Sequence, residues 1–398
     1  MDYFSNSNNK FLSKSSIILY FVIIVILVVL VYIYRKLNLK KLNCSKLNST
    51  SNTKLLSITD PTNTLDTKQS LSTYYIKTAY NCCCTGNFKN DYVDICALKN
   101  CAFYGVRALD FQIYSLKNKP IVSASSVKST DYKEIYNYID FYEVLNNVRK
   151  YFIDDQSNKN CKDPLFLIFR LYTKNTPIYD MMAQALNQVY GYGSPLSNIL
   201  YTLPSHNILD NVLLSSLAKK VVIIVDPTYG DKNGFENSQL NNYSSLVLGS
   251  SLSNTIYRES TILGVMAVDK ATGTENNLMN NLTILYPELQ QNKNNYDFIT
   301  SGIFNYVSFI GMNFQYNDAF LREYNNTFFA SCAFISKLNT IQTMCSSNTS
   351  YSSTKFCKAV NSFTSICENP TYSSTALCKS VNSKTDSTNT TTNATTNS

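Results

Sequence analysis

The longest uninterrupted apolar run of the chain covers residues 17–34 (IILYFVIIVILVVLVYIY). These residues would form about 27 Å of helix, which is close to the hydrocarbon thickness of a bilayer. Tyr32 and Tyr34 lie where an aromatic belt is expected, and two basic residues end the run. A cleaved signal peptide is disfavoured because the run is long and no small-x-small cleavage site follows it. The pattern predicts one transmembrane helix over residues 16–35, with residues 17–34 in contact with the lipid bilayer.

From about Ser72 onward, short β-rich runs alternate with amphipathic helical patterns. Residues 164–172 and 220–226 are almost continuously apolar, as buried parallel strands are. Helical periodicity is found over residues 141–153 and 178–189. Eight candidate strands with helices between them predict an α/β fold, a TIM-type (β/α)8 barrel. The candidate strands are 74–80, 105–114, 120–125, 164–172, 220–226, 244–250, 262–269 and 307–315.

The segments on either side of the barrel differ from it in amino-acid composition. The motif YSSTxxCKxVNS occurs at residues 351–362 and again at 372–383, a period of 21 residues, with Cys345 and Cys367 before the two copies. Segments this small cannot bury a core, so Cys345, Cys357, Cys367 and Cys378 are disulfide candidates. The predicted organisation is an N-terminal tail (1–15), a transmembrane helix (16–35), a polar linker (36–71), the barrel (72–340), Cys-containing tandem repeats (341–383) and a disordered Ser/Thr/Asn tail (384–398).

The net charge of +8 is concentrated around the apolar run: eight of the 35 basic residues and one of the 27 acidic residues lie in the first 54 positions. A nucleic-acid-binding protein would carry its positive charge on the folded domain, so nucleic acid is not an expected partner. More basic residues follow the run than precede it, which favours a cytosolic C-terminal domain. The sequons at Asn242, Asn281 and Asn325 would indicate the opposite side if they are glycosylated.

Several segments over residues 72–338 resemble, in order and spacing, the catalytic barrel of phosphatidylinositol-specific phospholipase C. Family members have a Ser-Ser-His-Asn motif at the first strand, a Gly-Cys-Arg-x-x-Glu-x-Asp second strand and a Pro-Ile-Val-Tyr-His-Gly third strand. The resemblance implies a PLC-like phosphodiesterase barrel, and it is closest to divergent barrels from large double-stranded DNA viruses. The matching segments here are TAYNCC (78–83), GVRALDFQ (105–112), PIVSAS (120–125), PLFLIFR (164–170), KVVII (220–224), MNFQ (312–315) and FISK (334–337).

The family reaction needs a base for the inositol hydroxyl, an acid for the leaving oxygen and positive charge on the phosphorane. Two histidines and calcium usually supply these, but the two histidine positions are Tyr80 and Ala124 in this chain. The one histidine, His206, does not align with either position and is expected in a surface loop. The resemblance therefore implies a degenerate active site.

The four positions that bind calcium in the family are Asn81, Asp110, Gln112 and Arg170 here. One carboxylate beside a guanidinium would bind calcium very weakly, so neither a metal nor another cofactor is expected. Arg170 admits two interpretations. It forms an ion pair with Asp110, which the chemistry favours, or it replaces the metal and binds a phosphate or headgroup together with Asn81, Asp110 and Gln112.

The run Cys82-Cys83-Cys84, with Cys96 and Cys101, lacks the usual spacing of zinc ligands. A disulfide near the first strand and a set of buried thiols are both more plausible than a metal site. Twelve cysteines favour an oxidising compartment, whereas the basic residues favour the cytosol. A virion that assembles in the cytosol with its own thiol oxidase would satisfy both.

Three functional hypotheses follow from these residues. The leading one is a membrane-anchored pseudoenzyme that acts as a structural or interaction protein, as a component of a virion membrane or capsid layer, with viral structural proteins or phospholipid headgroups as partners. The second is a divergent phosphoric diester hydrolase that uses Arg170, Asn81 and Asp110. The third is a phosphoinositide headgroup-binding module without turnover. The expected location is a single-pass membrane protein in a host intracellular or virion inner membrane.

Overall fold

The structure is a computed structural model that describes most of the chain between residues 14 and 340. The described residues are 14–47, 55–127, 132–191, 198–204, 208–249, 256–258, 262, 281–289, 295–299, 307–337 and 339–340. The tandem repeats with the candidate disulfide cysteines Cys345, Cys357, Cys367 and Cys378, the Ser/Thr/Asn tail, the N-terminal tail and His206 lie outside this range.

Eleven strands and seven α-helices are formed by the described residues. The strands are β1 (Tyr74–Ala79), β2 (Ala108–Leu116), β3 (Lys119–Ser123), β4 (Ile139–Asp140), β5 (Leu165–Leu171), β6 (Val221–Asp226), β7 (Ser244–Val247), β8 (Ile256–Arg258), β9 (Ile284–Tyr286), β10 (Phe309–Met312) and β11 (Phe334–Ser336). The helices are α1 (Lys14–Leu47), α2 (Ile95–Phe103), α3 (Phe141–Arg149), α4 (Pro177–Tyr190), α5 (Lys232–Glu236), α6 (Gln239–Tyr243) and α7 (Ala319–Glu323).

Eight strands form a parallel sheet in the order β7-β6-β5-β2-β1-β10-β9-β8, and described helices follow β1, β4, β5 and β6. This is the arrangement of a TIM-type α/β barrel, which confirms the predicted fold class. β5 and β6 are almost continuously apolar because one side of each strand faces the barrel interior and the other faces the helices. The ring of Phe166 on β5 packs against those of Phe309 and Phe334.

The predicted third strand (120–125) is not a barrel strand. It forms β3, which pairs antiparallel with the preceding strand β2 in a hairpin. It is therefore not one of the parallel strands of the barrel. The predicted strand 262–269 lies almost entirely outside the described residues. The parallel sheet instead includes β8 and β9, each three residues long and too short to give a hydrophobic pattern.

α1 is the one helix in the described part of the chain that is long and apolar enough to cross a membrane. It does not end near residue 35, where the apolar run stops, but continues to Leu47. The first part of the predicted linker is therefore helical. One face of this part of α1 contacts the barrel and stabilises the helix, through Lys36, Lys40, Asn43 and Cys44.

The second half of the predicted linker also packs against the barrel. The amide of Leu56 donates to the carbonyl of Ser331 at 2.7 Å. The Asp163 carboxylate accepts from the Ser57 hydroxyl and the Ile58 amide, and burial raises the pKa of Asp163 to about 6. These contacts give residues 55–58 a fixed path across the barrel, so the polar composition of this segment reflects buried hydrogen bonds rather than a free linker.

Candidate functional site

The candidate site lies where neighbouring parallel strands end. Asp110 lies on β2, Arg170 on β5 and Asp226 at the end of β6, and Arg170 is in register with both Gln112 and Asp226. Asn81 follows β1 by two residues. Because the carboxyl ends of parallel strands meet at one rim of the barrel, the sheet brings these polar side chains together.

A buried ion pair between Arg170 and Asp110 forms the centre of the site. Nε of Arg170 lies 2.7 Å from Oδ1 of Asp110, and Nη2 lies 2.7 Å from Oδ2. The Arg170 side chain is 2% exposed and that of Asp110 is fully buried. This two-bond geometry fixes the plane of the guanidinium relative to the carboxylate.

Asn81 holds this pair through both its backbone and its side chain. Its amide donates to Oδ2 of Asp110 at 2.9 Å, and its Oδ1 accepts from Nη2 of Arg170 at 2.7 Å. The residue has a φ of 44°, a left-handed conformation that asparagine tolerates better than most residues. Its buried Nδ2 has no hydrogen-bond partner among the described residues.

Aromatic rings surround the guanidinium. The Arg170 Cζ lies 4.7 Å from the ring centre of Tyr80, 5.3 Å from that of Tyr286 and 5.7 Å from that of Tyr172. The Tyr286 hydroxyl donates to Oδ1 of Asp110 at 2.8 Å. The negative faces of the rings stabilise a desolvated cation. Gly311 makes room for this arrangement, since a Cβ there would lie 2.5 Å from Cδ1 of Tyr286.

The electrostatics of the site keep Arg170 charged. Burial by itself lowers the pKa of the guanidinium, but the attraction of Asp110, its hydrogen bonds and the interactions with Tyr80 and Tyr172 together outweigh burial, and the pKa of Arg170 is raised above its ordinary value. For Asp226, burial raises the pKa and outweighs the hydrogen bonds from the amide and hydroxyl of Thr228. Asp226 is therefore the carboxyl of the site that protonates more readily than a free aspartate.

Comparison with solved structures gives the family of folds. PLC21 of L. pealei matches with a TM-score of 0.53 and 15% identity over 68% of this chain and 38% of that one. PLC21 of S. officinalis matches with a TM-score of 0.53 and 14% identity over 69% and 38%. The chain has a PLC-like phosphodiesterase fold. It spans about 38% of the length of these two proteins, and neither a family model nor a curated protein matches its sequence.

Gln112 and Ala124, which were expected in the site, take no part in the Arg170–Asp110 ion pair. The Gln112 Oε1 accepts from the Tyr114 hydroxyl and the Ser125 amide, both at 2.8 Å, and its Nε2 donates to the Ser125 carbonyl. Gln112 thus stabilises the β2–β3 hairpin. Ala124, at the second histidine position of the family, is fully buried and carries no polar side chain.

The residues of this PLC-like site do not fit calcium. Both carboxylate oxygens of Asp110 lie 2.7 Å from Arg170 nitrogens, and they also accept from the Tyr286 hydroxyl and the Asn81 amide. A divalent cation needs several free oxygen ligands. Here the guanidinium of Arg170 occupies both carboxylate oxygens and repels a cation.

Sequence reasoning missed Arg258, Tyr286 and Asp226. Nη2 of Arg258 donates to the Tyr80 hydroxyl at 3.2 Å, and its Cζ lies 5.0 Å from the Tyr80 ring centre. Arg258 and Tyr286 end strands of three residues, which carry no recognisable pattern. Asp226 did have a signal, because a lone acid ending the apolar run KVVIIVD marks the carboxyl end of a buried strand.

The cysteines near β1 divide into two groups. Cys96 forms a disulfide with Cys44 of α1, whereas Cys82, Cys83, Cys84 and Cys101 are buried free thiols. Burial raises the pKa of Cys82, Cys84 and Cys101, which keeps them protonated near neutral pH. The expected set of buried thiols is therefore present, whereas the cysteines of the loop after β1 form no disulfide, and the disulfide of Cys96 joins the barrel to α1 instead.

Proposed function

We propose that this chain is a membrane-anchored pseudoenzyme, a PLC-like barrel that does not hydrolyse phosphodiesters and acts as a structural or interaction protein. The observation that carries the proposal is the saturated Arg170–Asp110 pair. The only carboxylate at the family calcium positions accepts four hydrogen bonds from within the barrel, and the only guanidinium there is held by that carboxylate.

Among the described residues, the two positions that the resemblance aligns with the family histidines carry neither the acid nor the base that phosphodiester cleavage needs. Tyr80 stands at the first histidine position, where its hydroxyl accepts from Arg258, and Ala124 at the second has no titratable group. Asp226 is buried and hydrogen-bonded to Thr228. Ion pairing and aromatic packing account for the retained polar residues without a substrate.

The proposed location is a membrane crossed once by α1. The basic residues that follow the apolar run favour a barrel on the cytosolic side, while the Cys44–Cys96 disulfide favours an oxidising compartment. A virion inner membrane assembled with a dedicated thiol oxidase reconciles the two, with viral structural proteins as the proposed partners.

Hydrolysis assays on the full chain in detergent or vesicles test the pseudoenzyme proposal. Phosphatidylinositol and a water-soluble inositol phosphodiester, each with and without calcium, should give no turnover above a protein-free blank. Turnover that is lost in Arg170→Ala would overturn the proposal and support the divergent hydrolase. Because Arg170→Ala can unfold the barrel, Asn81→Gly serves as a second variant that removes one contact to the guanidinium and keeps both the ion pair and the left-handed backbone conformation.

A further inference from the structure

α1 is fixed to the barrel over the turns that directly follow its apolar part. Lys40 forms an ion pair with Asp94 at 2.6 Å, and Asn43 donates to Asp91 at 2.9 Å. Cys44 is joined to Cys96 by a disulfide. We call this set the α1 clamp. Its contacts span just over one helical turn and include a covalent bond, so the direction in which α1 leaves the barrel is fixed.

The clamp holds the start of the barrel at the level of the predicted membrane boundary. Nζ of Lys36 lies 5.9 Å from the ring centre of Tyr32 and 5.7 Å from that of Tyr136, and it donates to the carbonyl of Asn90 at 3.4 Å. Tyr32 belongs to the aromatic belt at the end of the apolar run. One lysine thus bridges the belt of α1 and a tyrosine of the barrel.

Tyr136 is one of three exposed tyrosines in the segment that follows β3. Tyr132, Tyr136 and Tyr138 are 60%, 49% and 48% exposed, and we call them the tyrosine surface. Tyrosine is amphipathic and is enriched where a protein meets the headgroup layer of a bilayer. The three exposed tyrosines lie within seven residues of one another, in the same segment of the barrel.

The segment that carries the tyrosine surface is hydrogen-bonded to the residues that follow β3 and to the loop that precedes α2. Glu134 donates its amide to the Ala124 carbonyl at 3.3 Å, accepts from the Asn90 amide at 3.0 Å, and binds Ser125 and Ser126 through its carboxylate. Asn137 exchanges two hydrogen bonds with the backbone of Val93. These bonds join the tyrosine surface to both the barrel rim and the loop that the clamp holds.

We propose that the tyrosine surface binds the bilayer that α1 crosses, and that the α1 clamp holds this surface in the headgroup layer. The proposal rests on the membrane anchoring proposed above. Lipid is the expected partner because Lys36 connects the tyrosine surface to Tyr32 at the end of the apolar run of α1. The rim of the barrel that carries Asn81, Asp110 and Arg170 then faces the membrane.

The chain contains no tryptophan, so a single introduced tryptophan reports its own surroundings. The full chain is reconstituted in phosphatidylcholine vesicles that contain brominated lipid, as Tyr132→Trp, Tyr136→Trp and Leu213→Trp. Leu213 is 44% exposed and precedes β6, at the end of the barrel opposite the rim. Tyr132→Trp and Tyr136→Trp should show blue-shifted emission and strong quenching, and Leu213→Trp should show neither. Equal quenching at all three positions, or none at Tyr136→Trp, would overturn the proposal.

Two further variants separate the possible causes of failure. Tyr34→Trp lies in the apolar run, and if it too escapes quenching then the membrane anchoring itself is wrong, whatever the hydrolysis assays give. Tyr136→Trp with Cys44→Ser and Cys96→Ser removes the covalent part of the clamp. This variant should lose quenching at Tyr136→Trp while Tyr34→Trp on the same background keeps it. Unchanged quenching would overturn the role assigned to the clamp.

Discussion

Replacement of Arg170 by methionine is expected to lower the free energy of unfolding by about 3–5 kcal/mol, because the buried carboxylate of Asp110 is then left without its partner. Methionine fills much of the arginine volume, so the loss reports charge rather than a cavity. Chemical denaturation of the full chain in detergent, followed by near-UV circular dichroism of its tyrosines, measures the change.

The double variant Arg170→Met with Asp110→Leu should be more stable than Arg170→Met alone, since no unpaired charge is left in the barrel. Lys232→Met is the matched control: Lys232 and Glu236 are both more than half exposed and 3.9 Å apart, and the expected loss is below about 1 kcal/mol. A double variant that is as unstable as the sum of its single variants would contradict this account and point to a packing role for both side chains.

Replacement of Lys77 by methionine is expected to stabilise the barrel and to flatten its pH dependence. Lys77 is fully buried on β1, its Nζ has no hydrogen-bond partner among the described residues, and burial lowers its pKa to about 7. Unfolding returns the pKa to its ordinary value of 10.5. Between these pH values the unfolded chain binds more protons, so stability rises with pH, by about 1.4 kcal/mol per pH unit for one such lysine.

Urea denaturation at a series of pH values from 7 to 9.5 measures how the free energy of unfolding changes with pH. In Lys77→Met the slope of this free energy against pH should be smaller by about 1.4 kcal/mol per pH unit. Part of the slope should persist, because burial also lowers the pKa of Lys337 to about 7, although Lys337 donates to the Ser308 hydroxyl. Lys119→Met, at an exposed position of β3, is the control and should leave the slope unchanged. An unchanged slope in Lys77→Met would mean that Lys77 is charged in the folded barrel near neutral pH.

The long apolar strands of the barrel were predictable because their pattern is local. β5 and β6 coincide with the runs 164–172 and 220–226 to within one residue at either end. The turns of α1 after residue 35 were not predictable, since their polar residues are stabilised by partners more than 40 positions away. Secondary structure that depends on tertiary contacts leaves little trace in a local hydrophobic pattern.

In the candidate site, too, residues marked by a local motif were predictable and residues placed by tertiary contacts were not. Asn81, Asp110 and Arg170 were found because family motifs mark the residues after β1, the first part of β2 and the end of β5, and the structure contains the Arg170–Asp110 ion pair that the chemistry favoured. Tyr286 was missed although it binds Asp110, because 176 residues separate them in the chain. Gln112 aligned with a ligand position but is engaged by Tyr114 and Ser125, a choice of side-chain partner that alignment alone cannot decide.

The Cys44–Cys96 disulfide makes the attachment of the barrel to α1 independent of the peptide chain between them. A protease that cut within residues 48–54 would leave two polypeptides that are still covalently joined. Release of the barrel from its anchor would then require reduction as well as cleavage. In an oxidising compartment this chain would resist shedding, and in a reducing one the same cut would set the barrel free.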